Sequence, residues 1–587
     1  MKGFIRTSLR ASFKNWPTLL LFEILYKSVG FILFTELAYY VQMGVLRVLD
    51  VPYISQENIQ LVFRNPLTIA MAVGACLIIA FYLYLEIITL MVYCEAGWDR
   101  GYISLPALCK KSFKASLNVF TLRNLPFTLV LLPVIGLSNI PLAYGLAARL
   151  NIPEFIIDYI KSSHPLFILF ILLTLCINIF LLFSLFSIPN VIFARNHYVQ
   201  SFQESIRLLK GKILKTALAL FVNIALFVLL ILGIFAVIIL AIWLLSKDSA
   251  TLFQLYYIKW VAMAINVFNI LMSLSVCATA ITLYHSYRED QPAPAPHPKS
   301  KKAFLYRLGL FMASLLLLAF YSETEVGAKF AYPANQDTAI VAHRAGATFA
   351  PENTLAALSH SIAADADMAE IDIQQTRDGV LIIMHDSDFQ RTTGYSQKVW
   401  DTDYATVRKL DAGSAFSARF AGEHIPTLHD MLARAKNKIQ LMIEIKITGH
   451  ERDIVAQTVA EIQNAQMEGQ CMIASMRLDV LEAAKALDPR IKTVYITTFL
   501  ISDLYDLGFV DGFSVESSFL DASIIENAHA YGKEIYVWTI NSDNAIRKYL
   551  ASGVDGIITD NPDLARYYLS AGDRANVLEW LTDMLYS

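Results

Sequence analysis

Charge is scarce in this chain. Of 587 residues, 17% are Asp, Glu, Lys or Arg and 56% are hydrophobic, whereas an ordinary soluble protein is roughly 25% charged. A wholly water-soluble protein is therefore excluded. Cysteine is scarce as well. Of Cys76, Cys94, Cys109, Cys176, Cys277 and Cys471, only Cys471 lies in the polar C-terminal part, where it has no partner. No disulfide framework and no cysteine-based metal site is encoded. Acid is the third shortage, but only in the first half. Residues 1–322 hold 26 Lys+Arg and 13 Asp+Glu, while residues 323–587 hold 22 and 38. A net +13 followed by a net −16 marks a chain built for two solvents, lipid and then water. The division gives a membrane domain over residues 1–322, a linker over 323–338 and a soluble domain over 339–587.

A bilayer core about 30 Å thick is crossed by about 20 apolar residues in helical form. Seven stretches meet that length: Pro17–Val41, Leu67–Tyr93, Leu125–Ala147, Leu166–Ile188, Thr216–Leu245, Val261–His285 and Ala303–Tyr321. Cations collect at the N-terminus (Lys2, Arg6, Arg10, Lys14) and in alternate loops (Lys110, Lys111, Lys114; Arg207, Lys210, Lys212, Lys215; Lys299, Lys301, Lys302). Short basic loops stay cytoplasmic, so a multi-pass protein of the cell membrane is expected, with the N-terminus inside and the C-terminal domain on the extracytoplasmic face. The basic loops need no nucleic acid to explain them. A Pro-rich segment, Gln291–Ser300, precedes the seventh stretch, which reads as an uncleaved anchor rather than as a signal cut near Ala328.

Three short matches, Ser12-Phe13-Lys14, Ser112-Phe113-Lys114 and Ser201-Phe202-Gln203, each precede an odd-numbered span, the pattern of amphipathic helices feeding helix pairs. Glu23, Lys27 and Glu86 fall in or beside apolar spans, where ionisable groups are costly and read either as marks of a polar pathway or as groups that snorkel or pair near a helix end. Glu23 and Lys27, four apart, are expected to pair.

From Ala339 onward, short β-branched runs alternate with amphipathic stretches. Strands are expected at Ala339–Ala342, Met368–Ile373, Val380–Met384, Ile439–Ile445, Met472–Ser475, Thr493–Thr497, Gly512–Glu516, Glu534–Thr539 and Gly556–Thr559. Helices are expected between them, beginning with Glu352–Ala364. This alternation over about 250 residues is that of a (β/α)8 TIM barrel, with one strand surplus or part of a hairpin at Asp378-Gly379. The fold class is thus a multi-span α-helical membrane domain followed by an α/β barrel.

In such barrels the chemistry sits at the C-terminal ends of the strands. Here those ends carry His343-Arg344, Glu370-Ile371-Asp372, His385-Asp386 and Glu444-Ile445-Lys446. Residues two apart on a strand share a face, so Glu370 with Asp372, and Glu444 with Lys446, project together. Three converging carboxylates suit a hard divalent cation, Ca²⁺ or Mg²⁺, better than zinc.

The ordered set His343-Arg344-Ala345-Gly346, Pro351-Glu352-Asn353-Thr354, Glu370-Ile371-Asp372, Thr376-Arg377-Asp378-Gly379, His385-Asp386, Thr392-Thr393-Gly394, Glu444-Ile445-Lys446 and Val537-Trp538-Thr539 resembles the glycerophosphodiester phosphodiesterase family. The resemblance covers nearly all of Ala339–Ser587, and the preceding multi-span region is similar to the membrane domain ahead of some bacterial members. It implies a barrel of the phospholipase-C-like phosphodiesterase type that cleaves glycerophosphodiesters to sn-glycerol 3-phosphate and an alcohol. It also implies that Glu370, Asp372 and Glu444 hold the metal ion, that His343 and His385 are the acid/base pair, and that Arg344 and Lys446 hold the phosphate. Two histidines suit one proton removed from the nucleophile and one given to the leaving oxygen.

The family's usual Gly-Gly after His-Arg is Ala345-Gly346 here, and its usual Lys in the T-K-D-G turn is Arg377; neither change removes a reactive group. Trp538 is a candidate wall of the substrate pocket, Asp560 and Asn561 are weaker site candidates, and Glu352-Asn353-Thr354 reads either as a helix cap or as part of the site. The long stretch 387–425, with Arg391, Trp400, Phe416 and Phe420, reads as a functional loop or lid that selects the alcohol half of the substrate, or else as a disordered excursion. The implied partners are the lipid bilayer and a glycerophosphodiester or phospholipid-derived small molecule. Competing readings are a phospholipase C, phospholipase D or lysophospholipase D acting on lipid, and a non-catalytic lipid-binding or transport module.

Overall fold

The computed structural model describes residues 2–124, 160–290 and 338–571, apart from isolated positions within those ranges. The chain forms two compact units, one of Met1–Val48 with Asn65–Ala328 and one of Leu49–Arg64 with Lys329–Ser587.

In the first unit, among the described residues, five helices are long and apolar enough to cross a bilayer: Trp16–Leu49, Pro66–Trp98, His164–Ala194, Ile213–Leu244 and Ile270–Arg288. They coincide with five of the seven expected spans. Leu125–Ala147, Ala303–Tyr321 and the linker Gln291–Ser300 lie outside the described residues. The bundle is inverted relative to a soluble protein. Its most apolar segments, in His164–Ala194 and Ile213–Leu244, are only 6% and 11% buried, whereas the corresponding segment of Ile270–Arg288 is 83% buried. Polar side chains join the helices inside: Asn223 Nδ2 donates to Ser275 O and Thr279 Oγ1, both at 2.9 Å, and Asn223 Oδ1 accepts from Ser8 Oγ at 3.2 Å. The three sequence repeats fall on the short helices Lys2–Phe13, Leu105–Val119 and Tyr198–Leu209. Each buries a pair of serines one turn apart: Ser8 and Ser12, Ser112 and Ser116, Ser201 and Ser205. The repeat therefore encodes the small, close-packing face of each helix.

In the second unit eleven strands are described: β1 (Ala339–Ala342), β2 (Met368–Gln375), β3 (Leu381–Ile383), β4 (Asp388–Phe389), β5 (Tyr395–Lys398), β6 (Gln440–Ile445), β7 (Cys471–Ser475), β8 (Lys492–Thr497), β9 (Gly512–Glu516), β10 (Glu534–Trp538) and β11 (Gly556–Thr559). Eight of them run parallel in the order β1-β11-β10-β9-β8-β7-β6-β2, and β1 also pairs with β2, which closes the barrel. Helices follow the strands, from Leu355–Ala363 after β1 to Pro562–Ala571 after β11.

The surplus strand is β3. It pairs antiparallel with β2, with Ile373 opposite Ile383 and Gln375 opposite Leu381. The Arg377-Asp378-Gly379 turn is far too short for a parallel crossover, so the chain can only fold back on itself. His385 therefore follows a hairpin strand and not, as expected, a barrel strand.

The segment after β3 is neither a bare lid nor an excursion. It folds into the β4–β5 hairpin and short helical turns, and Phe389, Val399, Val407, Ala412 and Ile425 cluster there with Ile382 and Met384 from the β3 segment.

Candidate active site

Period-two alternation sorts the barrel residues into two sets. Ala369, Ile371, Ile373, Leu441, Ile443, Ile445, Phe513, Val515, Ile535, Val537 and Ile557 pack in the layer that includes the helices. Their neighbours Val341, Met368, Met442, Met472, Ala474, Val494, Ile496, Tyr536 and Ile558 form a second cluster, the barrel interior. Two residues beyond these apolar interior positions stand His343 after Val341, Glu370 then Asp372 after Met368, Glu444 then Lys446 after Met442, Trp538 after Tyr536 and Asp560 after Ile558. The site is the polar upper layer of the same interior rows whose lower layers are Val, Met and Ile.

Glu370, Asp372 and Glu444 are 4%, 1% and 7% exposed. Strand register sets Asp372 directly opposite Glu444 across the β2–β6 pair, and one oxygen from each of the three carboxylates lies within 4.8 Å of the others. Three buried carboxylates sharing so small a space repel one another and need positive charge between them. An all-oxygen, acid-rich donor set of this kind fits a hard divalent cation. Burial, and then the Asp372 charge, push the Glu370 carboxyl up to about 8. Burial raises Glu444 as well, against the pull of Lys446. Burial acts in the same direction on Asp372, but Lys446, His385 and Arg344 outweigh it and hold its carboxyl well below the usual range. Lys446 Nζ lies 2.9 Å from Asp372 Oδ1 and 2.8 Å from Glu444 Oε1. The expected phosphate ligand is thus itself a counter-charge to the acidic cluster.

Each histidine has one nitrogen fixed by a carboxylate. His343 Nδ1 lies 2.7 Å from Asp560 Oδ1, and His385 Nδ1 lies 2.9 Å from Asp386 Oδ1. Neither Nε2 has a hydrogen-bond partner among the described residues. Burial works against charge on His343, yet the hydrogen bond and charge of Asp560 raise its pKa above the usual value. Burial likewise opposes ionisation of Asp560, and His343 overcomes it. Hydrogen bonds from His385 and Arg391 hold Asp386 low.

Around these groups runs a chain of ion pairs. Arg344 Nη1 donates to Glu352 Oε1 at 3.0 Å, Arg391 Nη1 and Nη2 donate to both oxygens of Glu352 at 2.7 and 2.6 Å, and Arg391 Nε donates to Asp386 Oδ2 at 2.7 Å. Arg344 Nε is buried with no partner among the described residues.

Glu352-Asn353-Thr354 performs both of the alternatives read from sequence. Thr354 caps the helix by accepting from Ala357 N. Asn353 Nδ2 donates to Asp372 Oδ2 at 2.8 Å, and Glu352 ties Arg344 to Arg391. Arg391 stands in the sequence only as one residue of the long stretch 387–425, with no local sign of these partners. Asp560 did have one: in a closed barrel the eighth strand must lie beside the first, so the end of β11 must approach His343.

The backbone after His343 is tightly wound. Arg344, Ala345 and Gly346 have φ of 48°, 65° and 102°, and Arg344 N donates to Glu370 Oε2 at 2.8 Å. Left-handed residues favour glycine, which explains the family's Gly-Gly and shows that Ala345 bears a modest strain. A cavity of ≈ 200 Å³ adjoins the cluster, lined by His385, Glu444, Lys446, Ser475, Met476 and Arg477 among others. Trp538 does not line it. Its Nε1 donates to Ser514 O at 3.0 Å, and its ring packs on the interior cluster.

Two family models match the chain. The glycerophosphoryl diester phosphodiesterase family matches residues 343–564, and the membrane domain of glycerophosphoryl diester phosphodiesterase matches residues 5–321. The Bacillus subtilis protein YhdW is 34% identical over 250 residues, 40% of this chain and 99% of that protein. A glycerophosphodiester phosphodiesterase of Caldanaerobacter subterraneus is 31% identical over 243 residues, 38% of this chain and 95% of that protein. Among solved structures, an Oleispira antarctica phosphodiesterase in complex with the product sn-glycerol-3-phosphate is 26% identical with a TM-score of 0.37, covering 40% of this chain and 96% of that one.

Proposed function

The chain belongs to the glycerophosphoryl diester phosphodiesterase family, and from that premise we propose that its barrel hydrolyses glycerophosphodiesters to sn-glycerol 3-phosphate and an alcohol, tethered to the cell membrane by its helical domain. The observation that carries this reading is the convergence of Glu370, Asp372 and Glu444 within 4.8 Å beside two carboxylate-fixed histidines.

Glu370, Asp372 and Glu444 would hold a divalent cation, Ca²⁺ or Mg²⁺, which when bound supplies positive charge to the phosphoryl oxygens. Arg344, with its buried Nε, gives a fixed donor to the non-bridging oxygens as they gain charge. Lys446 neutralises Asp372 and Glu444 in the arrangement described and is the second phosphate ligand once that charge is met otherwise. His343 and His385 present Nε2: one accepts the proton of the attacking oxygen, and the other delivers a proton to the leaving alcohol oxygen. Asp560 and Asp386 fix the tautomer in which Nδ1 is the donor, so the reactive nitrogen always faces away from its carboxylate.

The alternation of basic loops and an odd number of spans support a cytoplasmic N-terminus and an extracytoplasmic barrel.

The decisive experiment measures sn-glycerol 3-phosphate release by the full-length protein from a panel of glycerophosphodiesters, with and without chelator, beside lysophosphatidylcholine. Turnover of the diesters that chelation abolishes is expected. Turnover of the lysolipid alone, or unchanged activity in Glu370→Ala, would overturn the reading.

A further inference from the structure

The apolar helices of the first unit enclose two acids. Glu23 lies in Trp16–Leu49 and Glu86 in Pro66–Trp98, and they are 1% and 5% exposed. A bare carboxylate in that setting is costly and demands a partner. The partner expected from sequence does not serve. Lys27 acts on Glu23 only through space, and among the described residues neither acid is held in an ion pair. Both oxygens of Glu23 and Oε2 of Glu86 have no hydrogen-bond partner among the described residues, although Glu23 and Glu86 are near enough to repel each other.

The buried Cys277 thiol of Ala250–Arg288 is near enough to feel both carboxylates but makes no hydrogen bond to the unpartnered oxygens, and the tyrosines nearby are committed elsewhere. Tyr26 and Tyr82 stack with ring centroids 4.2 Å apart; Tyr26 donates its hydroxyl to Tyr82 O at 2.7 Å, and Tyr82 donates its own to Tyr26 O. The remaining ring contacts are apolar or π-faced: Phe22 lies 5.5 Å from Tyr26 and Phe34 5.2 Å from Tyr82, centroid to centroid.

Two carboxylates and one ammonium leave a single uncompensated negative charge. A divalent ion would overshoot it. Three unpartnered, buried acceptor oxygens contributed by two helices and short of one positive charge describe a site for one monovalent cation. We propose that Glu23 and Glu86 form a monovalent-cation site inside the membrane domain, taking a proton or an alkali ion between their carboxylates.

The test uses the full-length protein in lipid nanodiscs. Radioactive sodium and potassium binding is measured at equilibrium, and the protonated-carboxyl stretch is followed by infrared difference spectroscopy across the neutral pH range. The expected result is one equivalent of either saturable alkali-ion binding or a protonated carboxyl, lost in Glu23→Gln and in Glu86→Gln. Glycerophosphodiester turnover should persist in both variants, since neither residue belongs to the barrel's machinery. Alkali binding identifies the metal ion as occupant, and a carboxyl band insensitive to sodium and potassium identifies the proton. Wild-type protein that shows neither signal overturns the proposal, whether or not the variants fold. A signal that persists in both variants overturns it too.

Discussion

Asp560→Asn tests whether Asp560 positions and charges His343. The charges of that pair are about 4 Å apart centre to centre, which at an effective dielectric constant of about 20 is about 4 kcal/mol. Their side chains are 21% and 28% exposed, and Arg344 opposes the imidazolium. Screening and that opposition reduce the differential interaction to about 1.5–3 kcal/mol. The limb of the pH–kcat profile governed by His343 should therefore move toward acid. The direction is the same whether His343 serves as acid or base, because its pKa falls in either case.

A second effect accompanies the shift. Asn541 Nδ2 donates to Asp560 Oδ2 at 2.5 Å. In the variant an amide NH₂ must face either that donor or His343 Nδ1. The latter turns Nδ1 into an acceptor and places the proton on Nε2, the wrong tautomer for a base. A fall in kcat of at least about 10-fold is expected, with KM little changed.

The pair also links stability to pH. A histidine with a raised folded pKa contributes stability that is full below its unfolded pKa and is lost as pH rises through the folded one. Wild type and variant should therefore differ in stability at mildly acidic pH and converge in alkali. The readouts are sn-glycerol 3-phosphate release as a function of pH and denaturant melts at the two pH extremes. An unmoved limb with unchanged kcat would refute the assignment of Asp560 as the positioning residue of His343.

Three further outcomes are expected. Glu444→Gln removes one of three convergent carboxylates and should lower activity by about 10³-fold or more, partly restored by excess divalent cation, with circular dichroism unchanged; full activity in chelator would contradict it. Arg391→Ala cuts the bridge between Glu352 and Asp386. It should reduce kcat by about 10-fold through misplacement of His385 and Arg344, cost no more than about 1 kcal/mol of stability because Arg391 is half exposed, and be rescued only in part by Lys, which lacks the fork; an unchanged kcat would refute the bridge. Gly346→Ala should destabilise the barrel by about 2–3 kcal/mol, since φ is +102° and a Cβ would lie 2.4 Å from Ser361 Oγ, which itself donates to Ala345 O; a melt within about 0.5 kcal/mol of wild type would show that the turn relaxes freely.

Local pattern determined a large share of this protein. The loss of charge and the recurrence of apolar stretches dictated membrane-spanning helices, because a bilayer satisfies neither charge nor open backbone. Alternation of period two put Glu370 with Asp372 and Glu444 with Lys446 on single faces before any strand was paired, since side-chain direction along a strand is set by covalent geometry. What the pattern could not contain is which distant ends meet. His343 finds Asp560 217 residues away because β11 closes on β1. Glu352 is gripped by Arg391, 39 residues on, because the β4–β5 segment folds on a small core of its own. Likewise, i,i+4 spacing predicted a Glu23–Lys27 pair, but packing turned Glu23 inward without it. Each of these depends on ring closure or tertiary burial, where the free energy lies in contacts between segments and no periodicity within one segment records it.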